Sequence, residues 1–90
     1  MRFTWDPKKA KSNKHRHGIS FEEAVTTFAD PLALVIADTM HGEARFILIG
    51  MSTHERILYT VHAEIDEEMT RIISARHATS HERRRYEEGI

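Results

Sequence analysis

Three features of the chain together predict an α+β fold. Local capping chemistry marks two helices near the N-terminus and a third near the C-terminus. The stretch between them is a series of apolar runs of strand length, and the connections between those runs are too short for the crossovers that parallel strands need. The expectation is an antiparallel β-sheet of about four strands with two N-terminal helices and one C-terminal helix, in a single domain over residues 1–90.

Phe3 to Trp5 reads as a short strand, closed by Asp6-Pro7, where Asp is a good N-cap and Pro a good first helical residue. A helix from Pro7 to His17 follows, and Gly18 stops it in the position that favours a left-handed backbone. Its one clear apolar interior residue is Ala10, so burial of a hydrophobic face does not explain why it should pack. A stripe of Asp6, Lys9, Asn13, Arg16 and His17 at helical spacing is either a solvated face or one wall of a polar site. Ser20 and Glu23 read as a capping box for a second helix. In that helix Phe21, Ala24, Val25 and Phe28 recur at i, i+3, i+4 and i+7 as a core-facing stripe, and Asp30-Pro31 ends it.

Apolar runs follow at Leu32 to Ala37, Arg45 to Met51 and Ile57 to Ile65, separated by turn material at Asp38-Thr39-Met40-His41-Gly42 and Ser52 to Glu55. Asp66-Glu67-Glu68 leads to a last strand from Met69 to Arg76. Phe46-Ile47-Leu48-Ile49 is apolar on both faces and suits an interior strand. In the next run Ile57, Tyr59, Val61, Ala63 and Ile65 alternate with Leu58, Thr60, His62 and Glu64, which assigns the first set to the core and leaves the second for chemistry. The final helix, Ser80 to Glu88, opens on a capping box of Thr79 with Glu82 and is charged throughout apart from Tyr86, its expected anchor.

Composition excludes several classes. With 40% hydrophobic and 30% charged residues, and only 4 Gly and 2 Pro, the chain is that of a folded protein rather than a disordered one. Ninety residues bury only roughly two-thirds of their unfolded surface, so a groove or flat site is expected rather than a deep pocket. Zero Cys excludes a disulfide framework, a thiolate zinc site and a cysteine nucleophile. The start carries no apolar signal core and no later run approaches the roughly 20 residues of a membrane span, so the expectation is a cytoplasmic protein.

The net charge of −1 hides a polarity along the chain. Residues 1–20 carry six Lys/Arg against one Asp, residues 21–70 two against ten Asp/Glu, and residues 71–90 five Arg against three Glu. Cationic ends that meet in the fold would form a patch attractive to a polyanion. His15 and His17 lie two apart on a helix and so point to different sides, with no carboxylate at matching spacing, and no Gly-rich phosphate loop or G-x-S-x-G elbow is present. No metal and no cofactor are expected.

The element order resembles the BrnT family of type II toxin–antitoxin ribonucleases, and so do particular residues along the whole chain. These are Trp5-Asp6, Asn13 with Arg16-His17-Gly18, Phe21-Glu22-Glu23-Ala24, Phe28-Ala29-Asp30-Pro31, Arg45-Phe46-Ile47-Leu48-Ile49-Gly50, Arg71 to Arg76, and Glu82-Arg83 with Tyr86. One departure is visible: the family usually has Lys-His-Gly where this chain has Arg16-His17-Gly18, which keeps the charge but reserves position 16 for an electrostatic role. The resemblance implies a RelE-like fold, RNA cleavage that blocks translation, and a ribbon-helix-helix antitoxin of the BrnA kind. In this family toxin and antitoxin form a hetero-oligomer that binds operator DNA and represses its own expression.

Metal-free RNA cleavage needs a group to take the 2′-OH proton, one to protonate the leaving 5′-oxygen, and cations on the phosphorane. The candidates are Arg76 for the phosphate, His62 and His17 for proton transfer, Ser74 as a hydrogen-bonding hydroxyl that orients Arg76, and Tyr86 for stacking or proton orientation. Lys9, Asn13, Arg16, Arg45, Arg71 and Arg83 are the candidate RNA-binding residues. Trp5 is read as core and Asp6 as a cap. Two other functions fit the same residues: a non-catalytic co-repressor of the antitoxin, and a gyrase-directed toxin of the ParE kind.

Overall fold

The computed structural model describes residues 1–39 and 44–89; the turn read at Met40-His41-Gly42 lies outside them. Along the chain run β1 (Arg2–Thr4), α1 (Pro7–His17), α2 (Phe21–Thr26) continued by a 3-10 turn (Thr27–Ala29), β2 (Leu34–Asp38), β3 (Arg45–Met51), β4 (Ile57–Glu64), β5 (Met69–His77) and α3 (Ser80–Glu88). Local chemistry sets the helix ends. Asp6 accepts from the Lys8 N–H at 2.8 Å, and Gly18 closes α1 at φ 73° with its N–H on the Lys14 carbonyl at 2.9 Å. Both arms of the capping box are present at Thr79 and Glu82.

The box expected at Ser20 is only half formed. Ser20 Oγ accepts from the Glu23 N–H at 3.0 Å, but the Glu23 carboxylate turns away to the β3–β4 connection. There it accepts from Ser52 Oγ at 2.7 Å and from Arg56 Nε at 2.9 Å, and pairs with Arg56 Nη2, while His54 Nδ1 lies 3.4 Å away. The Arg56 guanidinium, helped by the Ser52 hydroxyl, holds this buried carboxyl below the usual carboxylate range. A buried carboxylate needs both a paired charge and hydrogen bonds, and Arg56 with Ser52 supplies them where the Ser20 N–H would supply a single bond.

Among the described residues the sheet has five strands in the order β1-β5-β4-β3-β2. β2 to β5 form the expected antiparallel meander, but β1 joins parallel to β5, Arg2 opposite Met69 and Thr4 opposite Arg71, so the sheet is mixed and one strand larger than predicted. Parallel pairing is open to β1 because two helices and three strands separate it from β5. Between Val61 and His62 the β4–β5 register shifts: Val61 faces Ser74 and His62 faces Ile72, which leaves Ile73 as the extra residue of a bulge.

α1 and α2 cover one face. Ile19, Phe21, Ala24, Leu58, Ile72 and Ala75 form the core there, with Phe3, Trp5, Ala10, Val25 and Phe28 packed around it. This reverses the face assignment of β4. Leu58, Thr60 and His62 point into the core and are buried, whereas Ile57, Tyr59 and Val61 are half-buried on the other face, where α3 is attached. His62, 4% exposed, sits edge-on to Phe28 at 4.8 Å and stacked with Phe46 at 5.9 Å between ring centroids. Its more polar face is the buried one because two aromatic rings, from the 3-10 turn and from β3, build a slot around the imidazole.

Candidate active site

β1 pairs only with residues 69–71, so the rest of β5 meets α1 instead of a strand. The contact is made by a side-chain amide. Asn13 donates from Nδ2 to the Ala75 carbonyl at 2.7 Å and to the Ile19 carbonyl at 3.0 Å, and accepts at Oδ1 from the Ala75 N–H at 3.1 Å. α1 thus packs with Ala10 against the core and one buried amide in the place of a neighbouring strand on the edge of β5. Asn13 spends both its donors this way and so clamps α1 to β5, while also lining the groove beside it.

Beside this clamp runs a groove with two adjoining chambers. One, of about 340 Å³, is lined by Thr4, Trp5, Asp6, Lys9, Arg71, Ile72 and Ile73. The other, of about 170 Å³, is lined by Lys9, Ser12, Asn13, Arg16, His17, Ile73 and Ser74. Lys9 and the bulged Ile73 belong to both. The bulge leaves Ile73 without a partner on β4, and Ile73 and Ser74 both border the groove at this edge of the sheet. Of the residues singled out in the sequence, the fold therefore brings together Lys9, Arg16, Arg71, His17 and Ser74. The ion pairs among the described residues are made by other side chains, so Lys9, Arg16 and Arg71, all exposed, present their charge to the groove and solvent.

Other expected site residues lie elsewhere. His62 is in the core, where burial pushes its imidazole below the ordinary histidine value against the opposing pull of the Thr60 backbone and Glu64. Arg76 lies on the Tyr59 face of β5, its guanidinium 3.8 Å from the Tyr59 ring centroid. Nη1 and Nη2 donate to the two Glu82 oxygens at 2.8 and 3.0 Å, and Nη1 also to the His77 carbonyl at 3.0 Å. That fork is the geometry in which Arg would take a phosphate, and here an internal carboxylate fills it. Tyr86 donates its hydroxyl to Asp30 Oδ2 at 2.6 Å, a bond that with burial pushes the phenol up to about 12. It is the anchor of α3. Arg45 is half-buried on β3 opposite Asp38, and Arg83 is exposed on α3; neither lines the groove.

One groove residue was read from sequence only as core. Trp5 does pack against Phe21, edge to face at 5.9 Å, yet it is half-buried and forms part of the larger chamber. Its position next to the Asp6-Pro7 helix start, one turn ahead of Lys9, was the available signal. Among the described residues no group of three or more His, Cys, Asp or Glu is placed to hold a metal ion, and no helix is long and apolar enough to cross a membrane.

The α+β scaffold thus carries a cationic groove bordered by His17 and Ser74, an arrangement suited to a polyanion. A family model described as the ribonuclease toxin BrnT of type II toxin–antitoxin systems matches residues 5–82, and the chain belongs to that family. Its fold is similar to that of the Brucella abortus ribonuclease toxin BrnT in a 1.1 Å crystal structure. The TM-score is 0.72 at 23% identity, over 89% of this chain and 99% of the other. No curated protein sequence matches the chain.

Proposed function

We propose that this chain is an endoribonuclease that cuts RNA in the groove between α1 and β5 without a metal ion. The observation that carries the reading is the concentration of Lys9, Arg16, His17 and Ser74 around one chamber that holds no carboxylate, with Arg71 at its neighbour. A hard metal ion is held by oxygen donors, whereas this wall supplies exposed cations for a phosphate instead.

Lys9 and Arg16 hold the non-bridging oxygens of the scissile phosphate and neutralise the charge that builds up on phosphorus. The Ser74 hydroxyl donates to one of those oxygens. His17 takes the proton of the 2′-OH as the 2′-oxygen forms its bond to phosphorus and the bond to the 5′-oxygen breaks. Water entering the open groove protonates the departing oxygen. The products are a 2′,3′-cyclic phosphate and a 5′-hydroxyl.

In the cell the reading is that of a cytoplasmic toxin that blocks translation, neutralised by a cognate ribbon-helix-helix antitoxin with which it represses its own operon. Family membership supports an antitoxin partner. Purified chain incubated with RNA and excess chelator should produce fragments ending in 2′,3′-cyclic phosphate. Loss of cleavage on chelation, or fragments with 3′-hydroxyl ends, would refute the chemistry.

A further inference from the structure

The two chambers of the groove differ in a way that assigns them different parts of a nucleotide. The smaller one is walled by Lys9, Arg16 and His17 and suits phosphate. The larger one has an indole and a carboxylate on its wall, Trp5 and Asp6, with Lys9 and Arg71 at its rim. A carboxylate repels phosphate but accepts hydrogen bonds from base amines, and an aromatic face stacks bases of any sequence. Edge-to-face contact with Phe21 at 5.9 Å and an interplanar angle of 82° supports the indole from the core side, which lowers the ordering that binding must supply.

We propose that the larger chamber is a nucleobase subsite. Trp5 stacks on the base adjoining the scissile phosphate, and Asp6 selects a base whose edge donates. Asp6 Oδ1 already accepts the Lys8 N–H at 2.8 Å, which leaves Oδ2 for the ligand. Cytosine presents an amine where uracil presents a carbonyl oxygen, so the carboxylate favours cytosine and repels uracil at that position. The volume of about 340 Å³ accommodates a base with its ribose. This inference rests on the groove being the RNA site, but it adds a stacking residue and a base preference that cleavage alone does not require.

Trp5 is the only tryptophan of the chain, so its emission reports on this chamber alone. The probes are 2′-O-methyl oligoribonucleotides of cytidine and of uridine, which lack the attacking hydroxyl, each end-labelled so that anisotropy measures binding independently of Trp5. Trp5 emission should be quenched in step with the anisotropy change, and the cytidine oligomer should bind more tightly than the uridine one. Trp5→Phe, which keeps an aromatic ring against Phe21, should weaken binding by roughly three- to tenfold with the salt dependence unchanged. Asp6→Asn, which keeps a good N-cap, should narrow the preference for cytidine. Binding by anisotropy with Trp5 emission unmoved overturns the base subsite and leaves the groove reading standing. Absence of binding to either oligomer removes both.

Discussion

The side-chain amide of Asn13 binds both backbone groups of Ala75, accepting from its N–H at 3.1 Å and donating to its carbonyl at 2.7 Å. An 11-residue helix whose only buried residue is this asparagine is thereby held at a fixed distance from a strand edge. The smaller chamber of the groove opens beside this amide, which is one of its lining residues.

Replacing Asn13 by Ala removes three hydrogen bonds and leaves the buried N–H and C=O of Ala75 without partners. The expected loss is about 3 kcal/mol of unfolding free energy in denaturant titration. Asn13→Asp should cost more, because it turns a carboxylate toward two carbonyl oxygens that now accept donors. An Asn13→Ala variant as stable as the parent would remove the clamp from this account.

The buried His62 gives the fold a pH dependence of definite sign. Burial lowers its pKa in the folded chain below 6.5, its ordinary value, so below pH 6.5 the unfolded chain binds a proton that the folded chain does not. Stability is full above pH 6.5 and falls as the pH drops beneath it, at up to about 1.4 kcal/mol per pH unit until the folded pKa is reached. Glu23, Asp30 and Glu82 have lowered pKa values and withdraw their stabilisation only at more acid pH, as it falls from their ordinary values of 4.5, 3.8 and 4.5 through the lower values of the folded chain. Thermal melts at pH 7.5 and 5.5 should therefore differ, and His62→Phe should shrink that difference. Equal shifts in both proteins would place the proton uptake elsewhere.

Arg76 and Glu82 act on α3, which buries no residue of its own. Arg76→Ala and Glu82→Ala should each destabilise by about 1 kcal/mol and speed amide hydrogen exchange within α3, and the double variant should be little worse than either single one. Arg76→Ala that abolishes cleavage while leaving α3 protected would return this arginine to the site.

Gly50 stands where β3 passes under the 3-10 turn. A Cβ there would lie 3.0 Å from the Ala33 Cβ, 3.0 Å from Leu48 Cδ2 and 3.3 Å from the Thr27 carbonyl oxygen. Gly50→Ala should cost about 1–3 kcal/mol and lower the melting temperature. An unchanged melt would mean that the turn yields freely.

What the sequence disclosed divides along the reach of its signals. Caps at Asp6, Gly18 and Thr79 and the extent of α1 and α3 were legible because each depends on residues within one turn. The parallel partner of β1 was not, since no local pattern encodes pairing across more than sixty residues. Alternation along β4 identified a strand but chose the wrong face: Ile57, Tyr59 and Val61 are the more apolar set, yet the helices lie over Leu58, Thr60 and His62. The polar stripe of α1 was visible as half of a site. Its other half depended on the bulge at Ile73 and on the edge that β1 leaves uncovered, both products of tertiary pairing. Likewise the sequence offered Arg76 as a phosphate fork without revealing that Glu82 occupies it.

The central claim is that RNA is cut between α1 and β5, and single-turnover cleavage rates of folded variants test it most directly. Lys9→Ala, Arg16→Ala and His17→Ala should each slow cleavage by about a hundredfold or more, and Arg84→Ala, on the exposed side of α3, should cut at the parental rate. Groove variants that fold and cut as fast as the parent would contradict the claim.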